Sequence, residues 1–128
     1  MKGRTHKDLE VWQRALDLAE RTYQATRAFP GDERFGLSMQ MRRAAVSVVS
    51  NIAEGAARRT RRDFLRFLYV ARGSLVELEA QAILAVRLGL LQPTSLQVAI
   101  DRVGQMLTAM IASLSRSAHT SSDPIGDP

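Results

Sequence analysis

The sequence predicts an all-α fold, an antiparallel up-down four-helix bundle, on two observations. Apolar residues recur at spacings of three and four in four blocks, which is the period of an amphipathic α-helix. Alternation of apolar and polar residues, which would predict β-strands, nowhere continues for more than a few positions. Short loops join the four blocks, so consecutive helices are expected to run antiparallel.

The first helix is predicted from about Lys7 to Ala28. It ends before Pro30 and Gly31, because a proline disfavours helical dihedrals in the preceding residue and a glycine suits a turn. Its predicted apolar seam consists of Leu9, Trp12, Leu16, Ala19, Tyr23 and Thr26.

The second helix is predicted from Ser38, a candidate N-cap, to about Ala57. Its apolar residues again follow spacings of three and four, which places them on one face. That seam consists of Leu37, Met41, Ala44, Val48, Ile52 and Gly55.

Capping signals delimit the last two helices. Thr60 and Asp63 have the spacing of a capping box and predict the start of the third helix, which ends where Gly89 can adopt the left-handed conformation. Thr94 and Gln97 repeat the capping-box spacing before the fourth helix. The predicted seam of that helix is Leu96, Ile100, Val103, Leu107, Met110 and Leu114.

One domain is expected over residues 1–116, followed by a disordered tail over residues 117–128. A chain of 128 residues has the length of a single domain. The tail is rich in Ser, Thr, Asp, Pro and Gly, and Ile125 is its one large apolar residue, so burial cannot offset its ordering entropy.

The composition leaves little material for catalysis. The absence of cysteine excludes disulfides, thiolate zinc sites, iron–sulfur clusters and a cysteine nucleophile. The two histidines, His6 and His119, lie near the chain ends, and the sequence has neither a Glu-x-x-His motif nor a Gly-rich phosphate loop. We therefore expect no enzyme activity, no catalytic residue, no metal and no cofactor.

A cytoplasmic location is expected. The basic first eight residues are not followed by an apolar run, and the uncharged stretch over residues 88–100 is interrupted by Gly89 and Pro93. Neither a signal peptide nor a membrane span is therefore predicted.

Arginine dominates the charge of the chain. The formal net charge is +5, and residues 42–72 hold eight arginines against Glu54 and Asp63, a local excess of six positive charges. Arginine offers a planar fork to phosphates, and such an excess suits a polyanionic partner. The candidate nucleic-acid-binding residues are Arg58, Arg59, Arg61, Arg62 and Arg66. Two alternatives stay open: a solvated surface without a partner, and a scaffold whose arginines meet an acidic protein.

The third helix has more apolar residues than one face can hold. One seam contains Phe64, Leu68, Ala71, Leu75, Leu78, Ala82 and Ala85. A second seam beside it predicts an oligomer interface, because an apolar face left unpartnered in a small bundle favours self-association. Its residues are Leu65, Tyr69, Val76, Ile83, Val86 and Leu90. Alternatively, this helix is central and contacts both neighbours.

Polar residues beside the seams of the second and third helices predict a hydrogen-bonded network that fixes helix register. Buried polar networks can specify geometry even where they add little stability. The predicted members are Arg43, Ser47, Asn51, Glu54, Arg72, Ser74 and Glu77. A ligand or partner role for the same residues stays open.

Two blocks, Asn51-Ile52-Ala53-Glu54-Gly55 and Ala71-Arg72-Gly73-Ser74-Leu75, resemble the family named after the protein encoded in the intervening sequence of bacterial 23S rRNA. The resemblance covers about residues 6–115. One departure is Val48-Val49, where a proline is common in the family.

The resemblance implies a four-helix bundle that assembles into a ring, commonly a homopentamer, with no assigned catalytic activity. The family is also similar to the accessory protein of diversity-generating retroelements, a basic ring that engages a reverse transcriptase and nucleic acid. The expected function is thus a ring that binds nucleic acid, specifically structured RNA. Because no aromatic residue lies between Arg58 and Asp63, contacts to the phosphate backbone are favoured over base stacking.

Overall fold

The computed structural model describes residues 5–33 and 36–121, which form an all-α bundle. Its helices are α1 (Glu10–Thr26), α2 (Leu37–Ala56), α3 (Arg61–Arg87) and α4 (Gln97–Ser121), with short 3₁₀ turns at His6–Asp8 and Gly31–Glu33. Each helix packs against its two neighbours in the cyclic order α1, α2, α3, α4, and α1 and α3 lie diagonally opposite. The predicted fold class is confirmed.

The first helix begins later than predicted. A 3₁₀ turn occupies His6–Asp8, and Leu9 has an extended conformation at the N-cap, so α1 starts at Glu10 rather than Lys7. The backbone N–H of Leu9 donates to the carbonyl oxygen of His6 at 3.0 Å, which closes this turn.

The predicted seam of α1 is rotated slightly from the observed one. Leu16 and Tyr23 are 40% and 39% exposed, whereas Leu18 and Thr22 are buried. Thr22 can be buried because its hydroxyl donates to the carbonyl oxygen of Leu18 at 2.8 Å. From sequence spacing alone, a tyrosine is expected to be buried more often than a threonine. Here the threonine is buried instead, because its hydroxyl is satisfied by this bond to the backbone.

The second helix has a different cap from the predicted one. Ser38 is buried inside the first turn of α2, and Gly36 occupies the N-cap without a side-chain hydrogen bond. Glu33 takes over this role, because its Oε1 accepts from the backbone N–H of Leu37 at 3.2 Å. The predicted apolar seam is confirmed, since its six residues are all buried.

Both predicted ends of α3 are confirmed. The Thr60 hydroxyl accepts from the backbone N–H of Asp63 at 3.1 Å. At the other end Gly89 has φ 76°, and the N–H of Leu90 donates to the carbonyl oxygen of Ala85 at 2.9 Å. This left-handed glycine and its 6→1 bond form a Schellman motif, which stops the helix.

The fourth helix begins at Gln97, so Thr94 is not its N-cap and the predicted capping box is wrong. The Gln97 side chain does not cap the helix. Its Nε2 donates to Glu79 Oε2 on α3 and to Asp101 Oδ1, both at 2.8 Å. The predicted seam faces the core, with Met110 and Leu114 half-buried.

At its C-terminal end α4 extends to Ser121, five residues beyond the predicted domain boundary at residue 116. The rest of the predicted tail, residues 122–128, lies outside the described residues. None of the helices over residues 5–33 and 36–121 is both long enough and apolar enough to span a membrane.

A close contact between helices α2 and α3 lies at Gly55, near the end of α2. A Cβ at this position would lie 2.8 Å from Phe67 Cβ and 2.9 Å from Phe64 Cδ1, closer than such atoms can approach. Nearer the middle of both helices, Ser47 Oγ and Ser74 Oγ are 2.7 Å apart. Glycine and serine therefore let α2 and α3 approach closely along the same face.

We expect Gly55→Ala to destabilise the protein, although alanine is the better helix former. Helix propensity alone would stabilise by roughly 0.5–1 kcal/mol, but a methyl group pressed against Phe64 and Phe67 overpacks the contact and costs about 1–3 kcal/mol. The free energy of unfolding, measured by denaturant titration, should therefore fall.

Gly73→Ala is the matched control, because a Cβ built at that position of α3 has nothing within 4 Å beyond its chain neighbours and its own helix backbone. Its free energy of unfolding should rise by up to about 1 kcal/mol. Stabilisation by both substitutions would show that the α2–α3 contact is looser than described.

Candidate nucleic-acid interface

The five arginines predicted to bind nucleic acid surround the turn between α2 and α3, and we call them the arginine corner. Arg58 and Arg59 lie in the turn, Arg61 and Arg62 in the first turn of α3, and Arg66 one turn further along. A short connection and a helix start thus place five guanidinium groups at one corner of the bundle.

Two members of the arginine corner are held by local contacts. The guanidinium carbons of Arg58 and Arg66 lie 4.6 and 4.9 Å from the centroid of the Phe67 ring. Arg58 Nη2 is 3.9 Å from Glu54 Oε2, and Arg66 Nη2 is 3.9 Å from Asp63 Oδ1. At these exposed positions the ion pairs are weak, so cation–π stacking on Phe67 is the main orienting contact.

Arg59 and Arg62 are exposed and have no carboxylate within 4.0 Å in the part of the chain that the structure describes. Arg61 is half-buried. Glu54 and Asp63 face Arg58 and Arg66, so the arginine corner keeps an excess of positive charge at the exposed side chains of Arg59 and Arg62.

Phe67 is the residue of this site that the sequence did not predict. It lies outside the stretch from Arg58 to Asp63, and only the packing of α3 against α2 at Gly55 brings it beside Arg58. The signal available in sequence was its position one residue after Arg66 in an aromatic pair with Phe64. Two guanidinium groups already lie on this ring, so it does not offer a free platform for a nucleobase.

Three of the seven predicted network residues are joined by hydrogen bonds. Ser47 Oγ and Ser74 Oγ are 2.7 Å apart, and Asn51 Nδ2 donates to the carbonyl oxygen and the Oγ of Ser47 at 2.8 and 3.1 Å. All three residues are half-buried between α2 and α3. We call this group the Ser47–Asn51–Ser74 network, and it links the two helices directly.

The other four residues do not join it, which corrects the prediction. Glu54 is exposed and faces Arg58, and Arg72 stacks at 5.1 Å on Tyr69, on the outer side of α3. Arg43 and Glu77 are exposed. Their long charged side chains reach water from positions beside the seam, so spacing alone overestimates the buried network.

The second apolar seam of α3 divides into two groups. Tyr69, Val76 and Ile83 are 49%, 59% and 49% exposed. Leu65, Val86 and Leu90 are half-buried, and Leu65 and Leu90 pack against the core. The alternative of a central helix thus describes the second group, whereas the first group, which we call the outer stripe, stays exposed in the described chain.

A groove between α3 and α4 runs beside the outer stripe. It has a volume of about 620 Å³, and its lining includes Val76 and Leu75 of α3 and the small residues Gly104, Thr108 and Ala112 of α4. The lining also includes Arg72 and Glu79 of α3 and Asp101 and Gln105 of α4, so charged and polar side chains accompany the apolar and small ones.

A family model for the 23S rRNA-intervening sequence protein matches residues 7–112. The chain belongs to this family. A similar solved structure is a protein of unknown function from the S23 ribosomal protein family of Bacteroides thetaiotaomicron. It is 23% identical, the match covers 80% of this chain and 95% of that one, and the TM-score is 0.74, which shows a shared fold. No curated protein matches the chain.

The two sequence blocks that carry the family resemblance, residues 51–55 and 71–75, lie at the contact between α2 and α3. Asn51 and Gly55 face α3, while Ala71 and Leu75 are buried and Ser74 bonds to Ser47. The blocks that carry the family resemblance therefore serve packing, and the arginine corner lies just beyond them.

Among the side chains that the structure describes, no three histidines, aspartates or glutamates come close enough to hold a metal ion together. The charged side chains that cluster on the described surface are those of arginine.

We expect Asn51→Leu to lower the free energy of unfolding by about 1–2 kcal/mol, because it removes both side-chain hydrogen bonds that the Asn51 amide donates to Ser47. Glu54→Ala, on the next turn of the same helix, should change it by less than about 0.5 kcal/mol, since it removes only an exposed ion pair. Denaturant midpoints of the two variants measure the difference. Equal midpoints would contradict a structural role for Asn51.

Proposed function

We propose that this protein is a non-enzymatic, ring-forming helical bundle that binds structured RNA through the phosphate backbone. The observation that carries the proposal is the arginine corner, in which Arg59 and Arg62 are exposed without carboxylate partners beside three further arginines. Arginine forks bind phosphate oxygens in a bidentate manner, and each neutralised phosphate releases counterions.

Three features of the arginine corner favour phosphates over bases. Arg58 and Arg66 lie against Phe67, which holds them in place and reduces the entropic cost of binding. The Phe67 ring is thereby occupied, so a nucleobase gains little by stacking there. The cleft beside this corner is lined by Arg62, Asp63, Leu65, Arg66 and Tyr69, and its single carboxylate offers base edges few acceptors, so affinity is expected to vary little with sequence.

Self-association is the second part of the proposal. A single arginine corner offers few phosphate contacts, whereas a ring repeats the corner on every protomer and multiplies them. The outer stripe and the groove between α3 and α4 provide an apolar face for a second copy. A homopentamer is the assembly that the family resemblance supports.

Arg59→Ala combined with Arg62→Ala should weaken RNA binding across all sequences. The slope of log affinity against log salt should become shallower by roughly 1 for each phosphate that the variant no longer neutralises. Titration of a fluorescent RNA hairpin at several salt concentrations measures both effects. A DNA duplex with the sequence of the hairpin stem and an acidic protein serve as comparison ligands.

Arg14→Ala combined with Arg21→Ala is the control for the removal of two positive charges. Arg14 lies 3.6 Å from a Glu10 oxygen and 3.8 Å from an Asp17 oxygen, so its charge is already offset on α1. Equal RNA affinity of the two double variants would contradict the proposal, and preferential binding of the acidic protein would favour the scaffold function.

Val76→Glu combined with Ile83→Glu should dissociate the oligomer, because it places two carboxylates in the outer stripe. Light scattering at micromolar concentration should show a multiple of 14.2 kDa for the native chain and a mass near 14.2 kDa for the variant. Val98→Glu is the control, since Val98 is 73% exposed on α4 away from the groove. A native mass of 14.2 kDa would contradict self-association.

A further inference from the structure

A second group of arginines lies at the opposite end of α2. The C-terminal half of α1, the following turn and the N-terminal half of α2 enclose a cleft of about 850 Å³. Its lining includes Arg27, Arg42 and Arg43, and the apolar side chains of Phe29, Met39 and Val46. We call it the α1–α2 cleft.

Arg42 is fixed in the α1–α2 cleft by three contacts. Its Nε donates to Thr26 Oγ1 at 2.8 Å, its Nη2 donates to the carbonyl oxygen of Tyr23 at 3.3 Å, and its guanidinium carbon lies 4.6 Å from the centroid of the Tyr23 ring. The Thr26 hydroxyl is itself fixed, because it donates to the carbonyl oxygen of Thr22 at 2.8 Å. A guanidinium has five N–H donors, so most of them remain available after these two bonds.

The charges of the α1–α2 cleft are unbalanced. Arg27 and Arg43 are exposed, and in the described residues neither side chain has a hydrogen bond or an ion pair. No aspartate or glutamate belongs to the lining. Three guanidinium groups around one cleft, one of them held in place by backbone and side-chain contacts, make an anion the complementary ligand.

The volume and the apolar lining of the α1–α2 cleft indicate what else the ligand contains besides an anionic group. Clefts of roughly 300–1,000 Å³ hold organic ligands, and inorganic phosphate alone would leave most of this space to water. Phe29, Met39 and Val46 offer apolar contact beside the arginines. We propose that the α1–α2 cleft binds a small phosphate-bearing organic molecule of nucleotide size, with the phosphate held by Arg27, Arg42 and Arg43.

The α1–α2 cleft is separate from the arginine corner. Arg43 and Ala56 are thirteen residues apart on one helix, which corresponds to roughly 20 Å at 1.5 Å per residue. Substitutions at one site can therefore be made without touching the other, and the ligand proposal does not depend on RNA binding at the corner.

Calorimetric titration of the full chain with AMP tests the proposal, with adenosine and inorganic phosphate as partial ligands. We expect AMP to bind at least tenfold more tightly than either. A 5′-phosphorylated dinucleotide, compared with its 5′-hydroxyl form, distinguishes a free nucleotide from the end of an RNA strand as the source of the phosphate. Equal binding of AMP and adenosine, or no binding of AMP at millimolar concentration, would overturn the proposal.

Arg27→Gln combined with Arg43→Gln should lower AMP affinity at least tenfold while the thermal unfolding midpoint stays unchanged, because both side chains are exposed and unbonded in the described structure. Arg21→Gln, an exposed arginine of α1 outside the lining, should leave AMP affinity unchanged. Arg59→Ala with Arg62→Ala should also leave it unchanged, whatever that pair does to RNA binding. Native AMP affinity in the Arg27 and Arg43 double variant would overturn the assignment.

Val46→Trp provides a second readout, since a bulky ring at this lining position should occupy the α1–α2 cleft and reduce AMP binding at least tenfold. Light scattering of this variant should give the native mass. A change in mass would identify the cleft as a contact between copies of the chain and would overturn the ligand proposal.

Discussion

The close approach of α2 and α3 at Gly55 is the constraint on which the rest of the site depends. Because no side chain fits there, the backbone of α2 lies directly against Phe64 and Phe67. The same approach lets Ser47 and Ser74 bond across the two helices. These contacts at two levels fix the register of the helix pair, since a shift along either helix would break both.

The arginine corner is a consequence of this packing. With Phe67 held against the end of α2, Arg58 from the turn and Arg66 from α3 reach the same ring from different elements. Arg59 and Arg62 have no such aromatic contact in the described structure and remain accessible. One buried contact thus distinguishes two exposed arginines that are oriented on a ring from two that are not.

The features that could be predicted from the sequence are those set by residues close together in the chain. Both ends of α3 were predictable because Thr60 and Gly89 act within their own turns. The starts of α2 and α4 were not, because Glu33 caps α2 from the preceding 3₁₀ turn and Gln97 bonds to Glu79 on another helix. The arginine corner was predictable from charge clustering, whereas its aromatic support and the α1–α2 cleft arise only when separate helices meet.

The geometry of α3 connects the two parts of the proposed function. Its core face is covered by α2 and α4, and α1 lies diagonally opposite, so the outer stripe of Tyr69, Val76 and Ile83 is left exposed in the described chain. The same helix begins with Arg61 and Arg62 of the arginine corner. An assembly built through the outer stripe would therefore set the distance between successive arginine corners by the length and tilt of one rigid helix. Because phosphates along an RNA backbone are regularly spaced, that fixed distance would determine which RNA shapes can contact several protomers at once.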